Sequence, residues 1–174
     1  ASPVNIPIDL HTTTQQLAAE LQRRGWMLAT AESCTGGMIA AACTDLPGSS
    51  AWFDRGFVTY SNAAKTEMLG VPAELIAAHG AVSEEVVRAM AEGAVARSNA
   101  QVALSVTGIA GPSGGGPDKP VGTVWFGWAI GNQVQTVCIQ WPGNRQAVRQ
   151  HTLRHALQHL SQLLLSSAAP HSHS

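Results

Sequence analysis

Three stretches of this chain combine reactive side chains with glycines or turn residues that could present them. The first is TAESCTGG, residues 30 to 37, where three hydroxyls, a thiol and a carboxylate stand directly before two glycines. A serine hydroxyl is a weak nucleophile at neutral pH and needs a base within hydrogen-bond reach. N–H groups around Thr35, Gly36 and Gly37, at the start of a helix, could hold an anion or the oxyanion of a tetrahedral intermediate. The second is YSNAAK, which brings the phenol of Tyr60 and the amine of Lys65 into one corner. That amine can accept a proton only if burial or neighbouring charge lowers its pKa. The third is TGIAGPSGGGPDKPVG, residues 107 to 122. There Thr107, Gly108 and Gly111 could offer hydroxyl and amide donors to a phosphate, with charge from Lys119 and Arg145. No G-K-[ST] follows the glycines, so the stretch is not a P-loop, and it is not a dinucleotide fingerprint.

Each stretch also has a plain structural reading. Thr30, Ser33 or Thr35 could simply cap a helix. Lys65 could be an exposed helix residue and Tyr60 a core residue, and the glycine-rich stretch a surface loop. Cys34 competes with Ser33, because thiols are stronger nucleophiles and a helix N-terminus lowers a thiol pKa. Small thiols are nevertheless commonly buried, and position in the sequence does not separate the two. No histidine lies in the three stretches. His151, His155 and His159 fall four apart on one helical face without acidic or thiol companions, which predicts a surface row of imidazoles rather than a metal site.

The elements that must position these residues follow from periodicity. Residues 13 to 24 put Leu17 and Leu21 on one helical face, and Gly25 ends the helix. WMLAT reads as a buried strand before the first stretch, and MIAAACTDL as a small-residue helix after it. GFVTYS predicts a second strand, with Ser61 or Asn62 capping the helix that carries Lys65. Ser83, Glu84 and Glu85 open another helix, whose Val86, Val87, Met90, Ala94 and Val95 share a face. QVALSVT is a third strand. GTVWFGWAI and QVQTVCIQW flank Gly131 and Asn132 as an antiparallel hairpin. From Arg145 onward, Leu153, Leu157, Leu160 and Leu164 form the stripe of a closing helix. Strands alternating with helices, plus one hairpin, predict a single three-layer α/β/α sandwich with a mixed sheet. Its core spans about residues 13 to 165, between flexible ends. Ligands of such sheets bind beyond strand ends, so the three stretches are expected to converge there.

Composition narrows the function. Ten basic and eleven acidic residues give a net charge of −1, with no cationic stripe for nucleic acid. Three widely spaced cysteines, Cys34, Cys43 and Cys138, suit a reducing compartment, so a cytoplasmic address is expected. The first ten residues lack the features of an export signal, and no stretch approaches the roughly 20 apolar residues of a membrane span. The tail AAPHSHS is assigned no function, its two histidines being weak chelators on a terminus expected to fray.

Taken together, AESCTGG, GFVTYSNAAK, TGIAGPSGG, KPVGTVWFGWA and GNRQAVRQHTLRHAL resemble, in order and spacing, the C-terminal domain of the CinA (competence/damage-inducible) family over about residues 13 to 165. The resemblance implies a three-layer α/β/α fold and nicotinamide mononucleotide (NMN) deamidase activity, releasing nicotinic acid mononucleotide and ammonia in pyridine nucleotide recycling. It implies Ser33 as nucleophile, Lys65 as general base and Tyr60 as a relay or orienting group, with no metal or other cofactor. Thr107, Gly108, Gly111 and Arg145 are the phosphate candidates by motif position. Glu32 is left between orienting Lys65, binding the ribose and a structural ion pair. A homodimer is expected on the same ground. Longer members carry an N-terminal domain similar to molybdopterin-binding proteins, whose activity is expected to be absent from this chain. The competing expectation is a nucleotide- or phosphate-binding module, or an interaction protein, without turnover.

Overall fold

A computed structural model describes residues 9–167; the tail AAPHSHS and the first eight residues lie outside the described residues. Helix α1 (Leu10–Arg24) starts three residues before the predicted span, buries Leu17 and Leu21 completely, and ends at Gly25 in the left-handed conformation. Strands β1 (Leu28–Glu32), β2 (Phe53–Val58) and β3 (Val102–Gly108) are mutually parallel. The hairpin of β4 (Thr123–Ile130) and β5 (Gln133–Gln140) adds antiparallel to β3, giving the sheet order β2-β1-β3-β4-β5. The remaining helices are α2 (Met38–Thr44), α3 (Asn62–Leu69), α4 (Ala73–His79), α5 (Glu84–Ala96) and α6 (Arg145–Ser166).

Alternation along the strands assigns the two faces. Leu28, Leu104, Val106, Phe126 and Trp128 pack in one core with Leu17, Ile39 and Leu157 from α1, α2 and α6. Ala29, Ala31, Ala103 and Ala129 pack in the other with Leu69, Ile76 and Met90 from α3, α4 and α5. The result is the three-layer sandwich with a mixed sheet that the pattern predicted. Alanines on the second face leave room for α5 to lie close, and Ser105 Oγ donates to the Val87 carbonyl at 2.7 Å. Among the described residues no helix is long and apolar enough to cross a membrane.

The imidazoles of α6 line one face as expected, exposed at His151 and half-buried at His155 and His159, and they pack on aromatic rings. His151 stacks on Trp141 at 5.0 Å between ring centroids, His155 meets Phe126 edge-on at 4.8 Å, and His159 lies 4.3 Å from Trp128. The face of α6 that carries them runs over the aromatic side chains of β4 and Trp141, so rings four residues apart find successive partners. Burial, with a smaller contribution from His159, pushes His155 down from 6.5 to about 4. Between those values the unfolded chain binds a proton that the folded chain does not, so this group makes stability fall as pH drops through that window. The melting midpoint is expected to decrease from pH 7 to pH 5, and less steeply in His155→Gln. Equal slopes in the two proteins would place the acid sensitivity elsewhere.

Candidate active site

Because β1, β2 and β3 are parallel, their C-terminal ends emerge on one edge of the sheet, where all three reactive stretches leave it. Ser33 follows β1 and its N–H donates to the Val106 carbonyl of β3 at 3.2 Å, extending the strand pairing by one residue. Its side chain is 7% exposed. Thr59 follows β2 and donates its N–H to the Glu32 carbonyl at 2.8 Å. The next turn carries Ser61, whose hydroxyl caps α3 by accepting from the Ala64 N–H.

Lys65 points from the first turns of α3 into this corner and is 1% exposed. Its Nζ lies 3.0 Å from Ser33 Oγ, 2.9 Å from the Thr59 carbonyl and 3.2 Å from the Tyr60 carbonyl. All three partners are neutral. Without a carboxylate to offset it, burial dominates and lowers the Lys65 pKa from 10.5 to about 8. Helix α3 is fixed from behind: the Leu69 carbonyl sits 2.1 Å from where a Cβ on Gly93 of α5 would lie, and accepts from Arg97 Nη1 at 3.1 Å. Only glycine permits that approach.

The turn after Ser33 is built around Glu32, which is fully buried. Its Oε1 accepts from Thr35 Oγ1 at 2.6 Å, from the Gly37 N–H at 3.1 Å and from the Ile39 N–H at 3.0 Å, and its Oε2 accepts from the Ala40 N–H at 2.9 Å. The carboxylate therefore caps α2 from the preceding strand, satisfying amides that a helix start leaves open. This corrects two expectations. None of Thr30, Ser33 and Thr35 caps the helix, and Glu32 neither orients Lys65 nor forms an ion pair. Glu32→Ala would orphan three N–H groups, that of Ile39 buried and those of Gly37 and Ala40 partly buried, and is expected to cost about 3 kcal/mol. A chemical-denaturation curve tests this, and an unchanged midpoint would refute the capping role.

Gly36 and Gly37 adopt positive φ of 58° and 107°, which the tight turn into α2 requires. The Gly36 N–H donates to the Ser33 carbonyl at 3.0 Å and the Gly37 N–H to Glu32. Both are spent inside the turn, so the expectation that they serve an oxyanion does not hold. The Thr35 N–H has no hydrogen-bond partner among the described residues.

The remaining expected residues divide. Tyr60 reaches Ser33 and Lys65 through its carbonyl; its ring is exposed, and its hydroxyl accepts from Arg145 Nη2 at 3.0 Å. Arg145 opens α6, behind an Asn144 cap, and its Nη1 donates to the Gly111 carbonyl at 2.9 Å. Tyr60, Gly111 and Arg145 thus meet at one rim. Thr107 is buried and its hydroxyl donates to the Ala81 carbonyl at 3.0 Å. Gly108 packs beside Cys34, where an added Cβ would stand 3.2 Å from the sulfur. Lys119 donates to the His79 carbonyl at 2.7 Å and so ties its loop to the end of α4.

Cys34 is 5% exposed, and burial raises its thiol to about 11, so it is protonated at neutral pH. Arg149 was not singled out from the sequence, although it follows Arg145 by four residues on α6. Its Nε donates to the Cys34 carbonyl at 3.0 Å and its Nη2 to the Thr35 carbonyl at 3.3 Å. Among the described residues no carboxylate pairs with Lys65, Arg145 or Arg149. A separate cavity of about 400 Å³ between α3 and α4, bordered by Asn62, Thr66, Glu67 and Ile76, contains neither Ser33 nor Lys65.

Fold and site together define a class: a three-layer α/β protein with a serine and a buried lysine paired at the C-terminal edge of its parallel strands. Within that class the chain belongs to the CinA C-terminal domain family, whose model matches residues 10–164. It is 57% identical over 141 residues to a protein of Enterobacter agglomerans named nicotinamide-nucleotide amidohydrolase PncC, covering 80% of this chain and 86% of that one. The protein of the same name from Pseudomonas putida is 54% identical, covering 87% and 95%. The crystal structure of competence/damage inducible protein CihA from Agrobacterium tumefaciens superposes with a TM-score of 0.87 at 44% identity, covering 92% of this chain and 99% of that one.

Proposed function

We propose that this chain is a nicotinamide-nucleotide amidohydrolase that converts NMN to nicotinic acid mononucleotide and ammonia, with Ser33 as nucleophile and Lys65 as base. The observation that carries the mechanism is the 3.0 Å contact of Lys65 Nζ with Ser33 Oγ, in a setting that favours the neutral amine. The names of the relatives support the substrate class.

A neutral Lys65 keeps two N–H bonds to the Thr59 and Tyr60 carbonyls and turns its lone pair to the Ser33 hydroxyl. It takes that proton as Oγ attacks the carboxamide carbon. The resulting ammonium returns the proton to the amide nitrogen, the C–N bond breaks, and ammonia leaves a nicotinoyl ester on Ser33. Water, deprotonated by the same amine, cleaves the ester to the acid and restores the hydroxyl. At the rim, Arg145 donates to two neutral oxygens, of Tyr60 and Gly111, which an anionic phosphate would outcompete. The test is formation of ammonia and nicotinic acid mononucleotide from NMN. Binding of NMN without product would make the chain a nucleotide-binding module instead, and equal turnover of free nicotinamide would make it a general amidase.

A further inference from the structure

We propose that Arg149 is a positioning residue that, by holding the Cys34 carbonyl, aims the Thr35 N–H as the donor to the oxyanion; this rests on the Ser33 reading above. A trans peptide is planar, with its C=O and N–H pointing in opposite directions. The peptide joining Cys34 to Thr35 has its carbonyl bound by Arg149 Nε at 3.0 Å. Arg149 belongs to α6, in the layer of α1 and α2, whereas Lys65 reaches the turn from α3 in the opposite layer. The Thr35 N–H therefore points away from α6, toward the side on which Lys65 meets Ser33.

The next peptide follows the same rule. Its carbonyl, on Thr35, accepts from Arg149 Nη2 at 3.3 Å, and its N–H, on Gly36, turns back to the Ser33 carbonyl. The guanidinium thus holds the first peptide plane, and it shares the second with the Met38 N–H, which donates to the same Thr35 carbonyl at 3.1 Å. The second closes the turn, and the first keeps an unspent N–H beside the nucleophile. Fixing a donor before reaction is what gives an oxyanion site its effect, because no reorganisation remains to be done as charge develops. Lysine at this position would hold one carbonyl where arginine's fork holds both.

The experiment compares wild type, Arg149→Met, Arg149→Lys and Ser33→Ala on NMN across pH, and adds mass-spectrometric rates of Ser33 labelling by a small fluorophosphonate. The Met variant is expected to lose about 10²-fold in kcat with KM within about threefold, to keep the pH midpoint of wild type, and to label Ser33 more slowly. The Lys variant should recover part of the loss. A loss confined to KM would make Arg149 a substrate ligand, and a shifted pH midpoint would make it an influence on Lys65; either overturns the proposal, as does an unchanged kcat. Turnover retained by Ser33→Ala would instead remove the nucleophile reading and this inference with it. The labelling rate does not depend on NMN being the substrate, so a wrong substrate and a wrong role for Arg149 give different results.

Discussion

Ser33→Ala is expected to lower NMN turnover by about 10⁴-fold or more while leaving the fold intact. What singles the hydroxyl out at this corner is its 3.0 Å contact with a lysine whose pKa is lowered. Its removal deletes one acceptor of Lys65, which retains the Thr59 and Tyr60 carbonyls, so the structural cost is about 1 kcal/mol. The melting midpoint should consequently move by only a few degrees. Cys34→Ala makes the contrast. Burial holds that group as the thiol, a poor nucleophile, so its loss should reduce turnover far less. A dead Cys34→Ala beside a live Ser33→Ala would reverse the assignment.

The same corner shows which parts of the site could be read from sequence. The Ser33–Lys65 pair was visible because the positions that deliver it are local: a strand end running into two glycines, and a serine cap placing a lysine in the first turns of the next helix. The β4–β5 hairpin was likewise marked by its turn at Gly131, and α6 by its leucine stripe. Boundaries shifted where a local signal was weak. β2 runs over Phe53–Val58 rather than ending at Ser61, because Thr59 and Tyr60 turn away to meet Lys65. The seven-residue α4 was missed, being too short to show a period beside its flanking proline and glycine. The roles of Glu32, Thr107 and Arg149 were not legible, for a shared reason. Each is decided by a backbone partner: the α2 amides for Glu32, the Ala81 carbonyl for Thr107, and two carbonyls 114 and 115 residues away for Arg149. Residue type announces a charge or hydroxyl, but only the folded chain shows whether it is already spent.

Lys65→Met should then lose between about 10² and 10⁴ in kcat/KM, the range expected for a positioned general base, with Ser33 still in place. Arg at this position is not a rescue, because a guanidinium keeps its proton at every accessible pH. The pH profile provides the sharper readout. A base acts when deprotonated, so wild-type kcat/KM should rise with pH and level off above about 8, the value to which burial lowers Lys65. At pH 7 only about a tenth of the enzyme would hold the neutral amine. Stability moves in the same direction over a higher window. Between about 8 and 10.5 the unfolded chain binds a proton that folded Lys65 has released, so this group adds stability as pH rises through that interval. The rate therefore completes its rise just above the pH at which the stability gain begins, since the active amine is already deprotonated there while the stability gain continues to 10.5. A wild-type rate flat from pH 6 to 9 would place the base elsewhere. An ascending limb that persists in Lys65→Met would do the same, leaving the buried amine a structural donor to the Thr59 and Tyr60 carbonyls.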